Sequence, residues 1–163
     1  MGDDARQVQE RLAAGLEAAL PDAEWSVERR VGGTPVDVVG ESPERLVLVE
    51  LEWRRADPAN NTAKLFRHLA DDGALRGVLD GRDAVVVQLF TSYYDLVSDG
   101  VSSKRKDATF VGAAAAEYLE DVVYWPVDLP IDPPKRGGEL PANWESAVDT
   151  TVETIVDCLE PQR

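Results

Sequence analysis

Apolar residues recur along this chain with two different periods, and the changes of period divide it into elements. Val8, Leu12, Leu16, Ala19 and Leu20 fall at helical spacing and predict a helix over Ala5–Leu20, closed by Pro21-Asp22. Glu24–Val31 alternates weakly, as a strand with one exposed face does. Gly32-Gly33 is a turn, and Pro35 opens a second strand, PVDVVG. Glu41-Ser42-Pro43-Glu44 then turns the chain into RLVLVELEW from Arg45 to Trp53. Three strands in succession on short turns predict an antiparallel meander. After a loop at Asp57-Pro58-Ala59-Asn60-Asn61, the residues Leu65, Phe66, Leu69, Leu75, Val78 and Leu79 predict one helix over about 62–79, weakened by Gly73 and Gly77. AVVVQLF, Ala84–Phe90, is an apolar run suited to a central strand.

The remainder reads as additions to that core. Thr91–Ser103 is a polar loop containing Tyr93 and Tyr94, and Lys104-Arg105-Lys106 leads into an alanine-rich helix ending near Glu120. Val122–Trp125 is a short strand, Asp128–Asn143 a proline-bearing loop, and Trp144–Leu159 a closing helix. The order helix, three strands, helix, strand is α/β with a mixed central sheet flanked by helices. One domain over residues 1–163 is expected, with its core at about 5–90 and helical additions over about 91–163.

The strand at Arg45–Trp53 is unusual. Val47, Val49, Leu51 and Trp53 give it one purely apolar face, while Leu46, Leu48, Glu50 and Glu52 make the other face begin apolar and end in two acids. Those acids lie about 6.5–7 Å apart, twice the rise per strand residue. Desolvation and mutual repulsion oppose two like charges at the end of a core strand, and a bound cation or basic groups would resolve the conflict. Asp37, between valines in the preceding strand, is a third such acid. Pairing of the two strands would bring it near Glu50, and a carboxylate cluster of this kind suits Mg²⁺ or Mn²⁺.

Charge sets the context. Seventeen basic and 31 acidic residues leave −14 at pH 7, with a pI near 4.4. Lysine occurs only at Lys64, Lys104, Lys106 and Lys135. Acidity spread over the whole chain with so little lysine resembles the soluble proteins of salt-loving archaea; an ordinary acidic protein is the alternative. In molar salt the Debye length is ~3 Å, so carboxylate repulsion is largely screened. Net acidity normally argues against nucleic-acid partners, and salt adaptation weakens that argument. No apolar run approaches the ~18–20 residues of a membrane span. The charged N-terminus lacks a signal-peptide core, so a cytoplasmic location is expected. A single cysteine, Cys158, and a single histidine, His68, exclude an internal disulfide and make cysteine or histidine zinc sites and a Ser-His-Asp triad poor fits.

Lys64 adds a further clue. With Asn61 as N-cap it would occupy the third helical position, where a lysine is disfavoured by a few tenths to ~1 kcal/mol. A nearby acid such as Glu52, or a phosphate, would offset that. Asn61, Lys64 and His68 share one helical stripe. Structural readings stand beside the functional ones. Glu50 and Glu52 are also explained as strand-end acids paired with Arg54, Arg55 or Arg67, and Asp37 as an acid satisfied by backbone N–H groups. Lys64 and His68 are also explained as solvated helix residues, Asn60 and Asn61 as caps, and Tyr93 and Tyr94 as packing residues rather than base-stacking ones. Lys104-Arg105-Lys106 is equally a solvated helix start.

Asp37, Glu50-Leu51-Glu52 in the next strand, and a helix after it together resemble the PD-(D/E)XK nuclease superfamily over roughly residues 5–90. The resemblance implies a restriction-endonuclease-like α-β-β-β-α-β core and a divalent-metal-dependent nuclease cutting phosphodiester bonds, with DNA the expected nucleic acid. Asp37 and Glu50 would then be the Mg²⁺ or Mn²⁺ ligands. Glu52 stands where the motif usually has lysine, and would hold a second ion or orient water. Some restriction enzymes carry Glu at that place, and other members move the lysine to the following helix, which Lys64 fits. Arg54, Arg55, Asn61, Arg67, His68, Lys104, Arg105 and Lys106 would be nucleic-acid contacts. Many enzymes of this fold work as dimers, which leaves a homodimer open, and no membrane partner is expected. The alternatives are a catalytically inactive binding or assembly protein on the same scaffold, and an acidic adaptor of protein partners.

Overall fold

The computed structural model describes residues 2–160. Five strands form one sheet in sequence order: β1 (Glu24–Val31), β2 (Thr34–Glu41), β3 (Arg45–Glu52), β4 (Asp83–Thr91) and β5 (Val122–Leu129). β1, β2 and β3 are antiparallel, as the short turns require, and β3, β4 and β5 are parallel. The mixed sheet and the α-β-β-β-α-β order of the first part of the chain agree with the sequence reading.

Period-two patterning decides which helices cover which face. Val47, Val49 and Leu51 of β3, with Val85, Val87 and Leu89 of β4, pack under α1 (Asp3–Ala19) and α5 (Trp144–Leu159). On the opposite face Leu46 and Leu48, with Ala84 and Val86, meet Leu65, Phe66 and Leu69 of α2 (Pro58–Leu69). β3 is thus apolar on both faces until Glu50 and Glu52, which continue the Leu46–Leu48 row. α4 (Ser103–Tyr118) lies beside α2, and Gly112 brings it so close to Tyr124 that a Cβ there would meet the ring at 2.4 Å.

The helix expected over 62–79 is two helices with a different start. α2 begins at Pro58, capped by Asp57, whose side chain accepts the Asn60 N–H at 3.0 Å. Proline at the first helical position has no N–H to leave unpaired there. Asn61 is therefore not the cap, and Lys64 does not sit at the third helical position. α2 ends at Leu69, where the chain turns back so that Leu75 N–H reaches His68 O at 2.8 Å. A Cβ on Gly73 would lie 2.1 Å from His68 O, so a side chain is excluded from this turn. α3 (Arg76–Leu79) follows, and Leu75 and Leu79 stay in the core.

β5 is longer than expected, running through Pro126 to Leu129. It is an edge strand, the place in a sheet where a missing N–H is tolerated. The polar loop after β4 also departs from expectation. It opens with a 3-10 turn, Ser92–Tyr94, and Tyr94 is fully buried against Phe90, with ring centroids 5.5 Å apart. Among the described residues no helix is long and apolar enough to cross a membrane.

Candidate active site

Strand pairing places Asp37 and Glu50 as neighbours. The β2–β3 ladder ends at Val38 opposite Val49, and Asp37 and Glu50 are the next residues in that register. At this step the Asp37 carboxylate replaces the backbone, with Oδ2 accepting the Leu51 N–H at 2.7 Å. The structural reading of Asp37, as an acid satisfied by a backbone N–H, therefore holds for one of its two oxygens. On the outer side, Glu28 of β1 falls between the pairs Val27–Val38 and Arg29–Val36 and has φ of 48°, a left-handed value costly for any residue but glycine.

Glu50 and Glu52 are both buried, at 7% and 0% exposure. α2 supplies the group that joins them. Asn61 donates its side-chain N–H to Glu52 Oε1 at 2.9 Å and to Glu50 Oε2 at 3.5 Å. β4 supplies the next, since Gln88 is the register partner of Glu50. Gln88 Nε2 donates to Glu52 Oε1 at 2.9 Å and to Thr62 Oγ1 at 2.8 Å, and its carbonyl accepts the Tyr124 hydroxyl at 2.6 Å. The cation nearest the acids is Arg55, whose Nε lies 3.5 Å from Glu52 Oε2. Among the described residues that oxygen has no hydrogen-bond partner, and the Arg55 ion pair compensates it. Tyr94 fixes Arg55 by its backbone, its hydroxyl accepting the Arg55 N–H at 3.0 Å and donating to Arg55 O at 3.1 Å.

The electrostatics follow. Burial, and then the negative charge of Asp37, hold the Glu50 carboxyl well above the usual carboxylate range. Burial also raises Glu52, opposed by the amide donors of Asn61 and Gln88. Asp37 is raised by burial and pulled back by the Leu51 N–H. Burial pushes the Tyr94 and Tyr124 hydroxyls up as well, so both remain protonated donors.

The other candidate residues make no described hydrogen bond or ion pair with Asp37, Glu50 or Glu52. Lys64 is exposed on α2, and every described ion pair of the chain uses arginine. His68, seven residues along α2 from Asn61 and so about 10 Å up its axis, shares a 2.7 Å hydrogen bond with Thr34 Oγ1. Arg67, Lys104 and Lys106 are exposed. Arg105 is engaged, 2.6 Å from Asp128 Oδ1 and 4.8 Å over the Phe90 ring. Arg54 lies 5.2 Å over the Tyr93 ring. Among the described residues no three His, Cys, Asp or Glu side chains converge as a metal-ligand set. Two amides occupy Glu52 Oε1, and a backbone N–H occupies Asp37 Oδ2. Gln88, Thr62 and Tyr124 were not among the sequence candidates, and Tyr94 is the packing residue that the sequence reading favoured. The signal for Gln88 was a single amide inside AVVVQLF, where every neighbour is apolar.

No family model matches this chain, and no curated protein matches it. Among solved structures it is similar to SfsA of Pyrococcus furiosus in complex with Ca²⁺, at 18% identity and a TM-score of 0.43. The match covers 76% of this chain and 58% of that one, so the chain spans less than two thirds of that protein's length.

Proposed function

We propose that this protein is a divalent-metal-dependent nuclease of the PD-(D/E)XK type, acting at Asp37 and Glu50. The observation that carries the reading is the meeting of two desolvated carboxylates on adjacent strands, with Arg55 as their nearest cation and Asn61 as the one described hydrogen-bond donor to Glu50. A structural site would pair or neutralise these charges; a cation-binding site leaves them under-compensated. The donor set fits Mg²⁺ or Mn²⁺, which is usually held by one or two carboxylates and keeps several waters. Bound there, the ion would polarise a phosphodiester and lower the pKa of a bound water.

The protein's own residues divide the remaining work. Glu52 is too buried to meet substrate, and acts by holding Asn61, which in turn fixes Glu50. Gln88 and Tyr124 hold Glu52 from behind. Arg55 balances part of the cluster's charge, and Lys64, three residues along α2 from Asn61, is the cation offered to the scissile phosphate. DNA is the proposed substrate.

A second reading is a non-catalytic protein that binds nucleic acid or assembles on the same scaffold. The specific observation favouring it is Glu52. The motif's usual lysine is replaced by a buried acid locked among amides.

The test is cleavage of single-stranded, duplex and branched DNA in high KCl with Mg²⁺ or Mn²⁺. The parent protein cleaves and Glu50→Ala does not; equal cleavage by the two refutes the assignment. Calorimetry separates the readings, because absence of Mn²⁺ binding at tens of micromolar, unaltered by Asp37→Ala, leaves only the second.

A further inference from the structure

β3 and β4 are parallel neighbours, so the residues that follow them emerge at the sheet edge that carries Glu50 and Glu52. Arg54 comes two residues after Glu52, and Tyr93 two residues after Thr91, where β4 ends. Together they form one wall of a cleft of about 340 Å³ whose other wall is the proline-rich segment between β5 and α5. This lies within the ~300–1,000 Å³ of ligand pockets. The far wall is anchored, since Ile131 is fully buried and its carbonyl accepts the Ser92 N–H at 2.9 Å.

Tyr93 and Tyr94 are adjacent but differently used. Tyr94 is fully buried and clamps Arg55, whereas Tyr93 is 39% exposed and lines the cleft. Its ring is held from behind by Tyr94, edge-on at 5.1 Å between centroids, and carries the Arg54 guanidinium at 5.2 Å. Arg54 is fixed in turn by donating to Pro134 O at 3.3 Å. A ring and a guanidinium plane held in place beside an open cleft form a stacking platform of the kind that takes unpaired bases.

The other polar groups of the cleft complete a nucleotide's needs. Lys135 and Arg54 supply positive charge, and Asp132 and Glu139 supply acceptors. Cations meet a phosphate, and carboxylates accept from the exocyclic amino groups of bases. Two positive and two negative groups also make this cleft neutral on a chain of net charge −14, so a polyanion meets less repulsion there than elsewhere.

We propose that the Arg54–Tyr93 cleft is a subsite for one unpaired nucleotide of the substrate, so that nucleic acid reaches Asp37 and Glu50 as a single strand or a frayed end. The proposal rests on the nuclease reading for its substrate class, and specifies the form of that substrate. A base stacked and paired within a duplex has no free face for the platform.

The experiment measures binding of a short single-stranded oligonucleotide, and of a blunt duplex of the same sequence, to the full chain carrying Glu50→Gln, without divalent metal and in high KCl. Single strand binds more tightly than duplex. Adding Tyr93→Ala weakens single-strand binding by about 5- to 150-fold, and Tyr93→Phe, which keeps the ring, does not. Arg54→Ala repeats the test from the other side of the stack should Tyr93→Ala melt earlier than the parent. Unchanged single-strand affinity in a folded Tyr93→Ala or Arg54→Ala protein overturns the proposal. Binding that depends on Tyr93 without cleavage by the parent removes the nuclease reading and leaves the subsite. Cleavage of duplex and single strand alike, with KM unmoved by Tyr93→Ala, removes the subsite and leaves the nuclease.

Discussion

Replacing Gln88 by leucine tests whether the amide network supports the buried acids. Gln88 is 2% exposed in a central strand and makes three hydrogen bonds, to Glu52, Thr62 and Tyr124. The bond to the ionised Glu52 carboxylate contributes about 1.5–3 kcal/mol and the two neutral ones about 0.5–1.5 each. Leucine recovers roughly 1.5–3 kcal/mol through apolar burial. Thr62 keeps its bond to Pro58 O at 2.8 Å, so its hydroxyl is not stranded. The net loss is then about 2 kcal/mol, which in a chain of this size lowers the melting temperature by about 4–8 °C.

The pH dependence carries the discriminating sign. The Gln88 donor favours ionised Glu52, so removing it lifts a carboxyl that burial already raises. A carboxyl raised in the folded state withdraws stability as pH climbs from the ordinary carboxylate range toward its folded pKa. The variant's deficit should therefore be larger near pH 8 than near pH 4, where the folded carboxyl is protonated and the unfolded one mostly so. Urea unfolding followed by tryptophan fluorescence in molar KCl measures both. A deficit below about 0.5 kcal/mol, well under a single charged hydrogen bond, or one equal at the two pH values, would refute the reasoning.

Glu50→Gln should melt above the metal-free parent near pH 8 and match it near pH 4, because burial and Asp37 penalise only the ionised form. A lower melting temperature at the higher pH would contradict that. Gly112→Ala puts a methyl 2.4 Å from the Tyr124 ring, so an overpacking cost of about 1–3 kcal/mol cancels or exceeds the helix-propensity gain of ~1 kcal/mol; urea stability above the parent's would show that α4 does not press on Tyr124.

Much of the frame was legible because local rules fix it. The Gly32-Gly33 turn and the turn at 41–44 force a meander, and the alternation in Arg45–Glu52 sets which side chains face which helices. The start of α2 differs from expectation because Asp57, Asn60 and Asn61 are all good capping residues; Pro58 directly after Asp57 is the local signal that favours the earlier start. The break after Leu69 was hidden because Leu75 and Leu79 keep a helical spacing while reaching the core from a separate turn. Pro126 made β5 look short, since sequence alone does not say that a strand lies at an edge.

The candidate site divides in the same way. Sequence by itself determined that Glu50 and Glu52 extend an apolar row, because period two is a property of the strand alone. It also marked Asp37 as an acid among valines. Only tertiary structure decided what surrounds them. Asn61, Gln88 and Tyr124 come from three different elements and meet the acids through strand register and helix packing, which no local spacing encodes. Register also put Asp37 beside Glu50 and turned its carboxylate onto the Leu51 N–H. The cost of a buried charge depends on every group that packs around it, so the sequence located the acids and the fold set the terms on which they remain there.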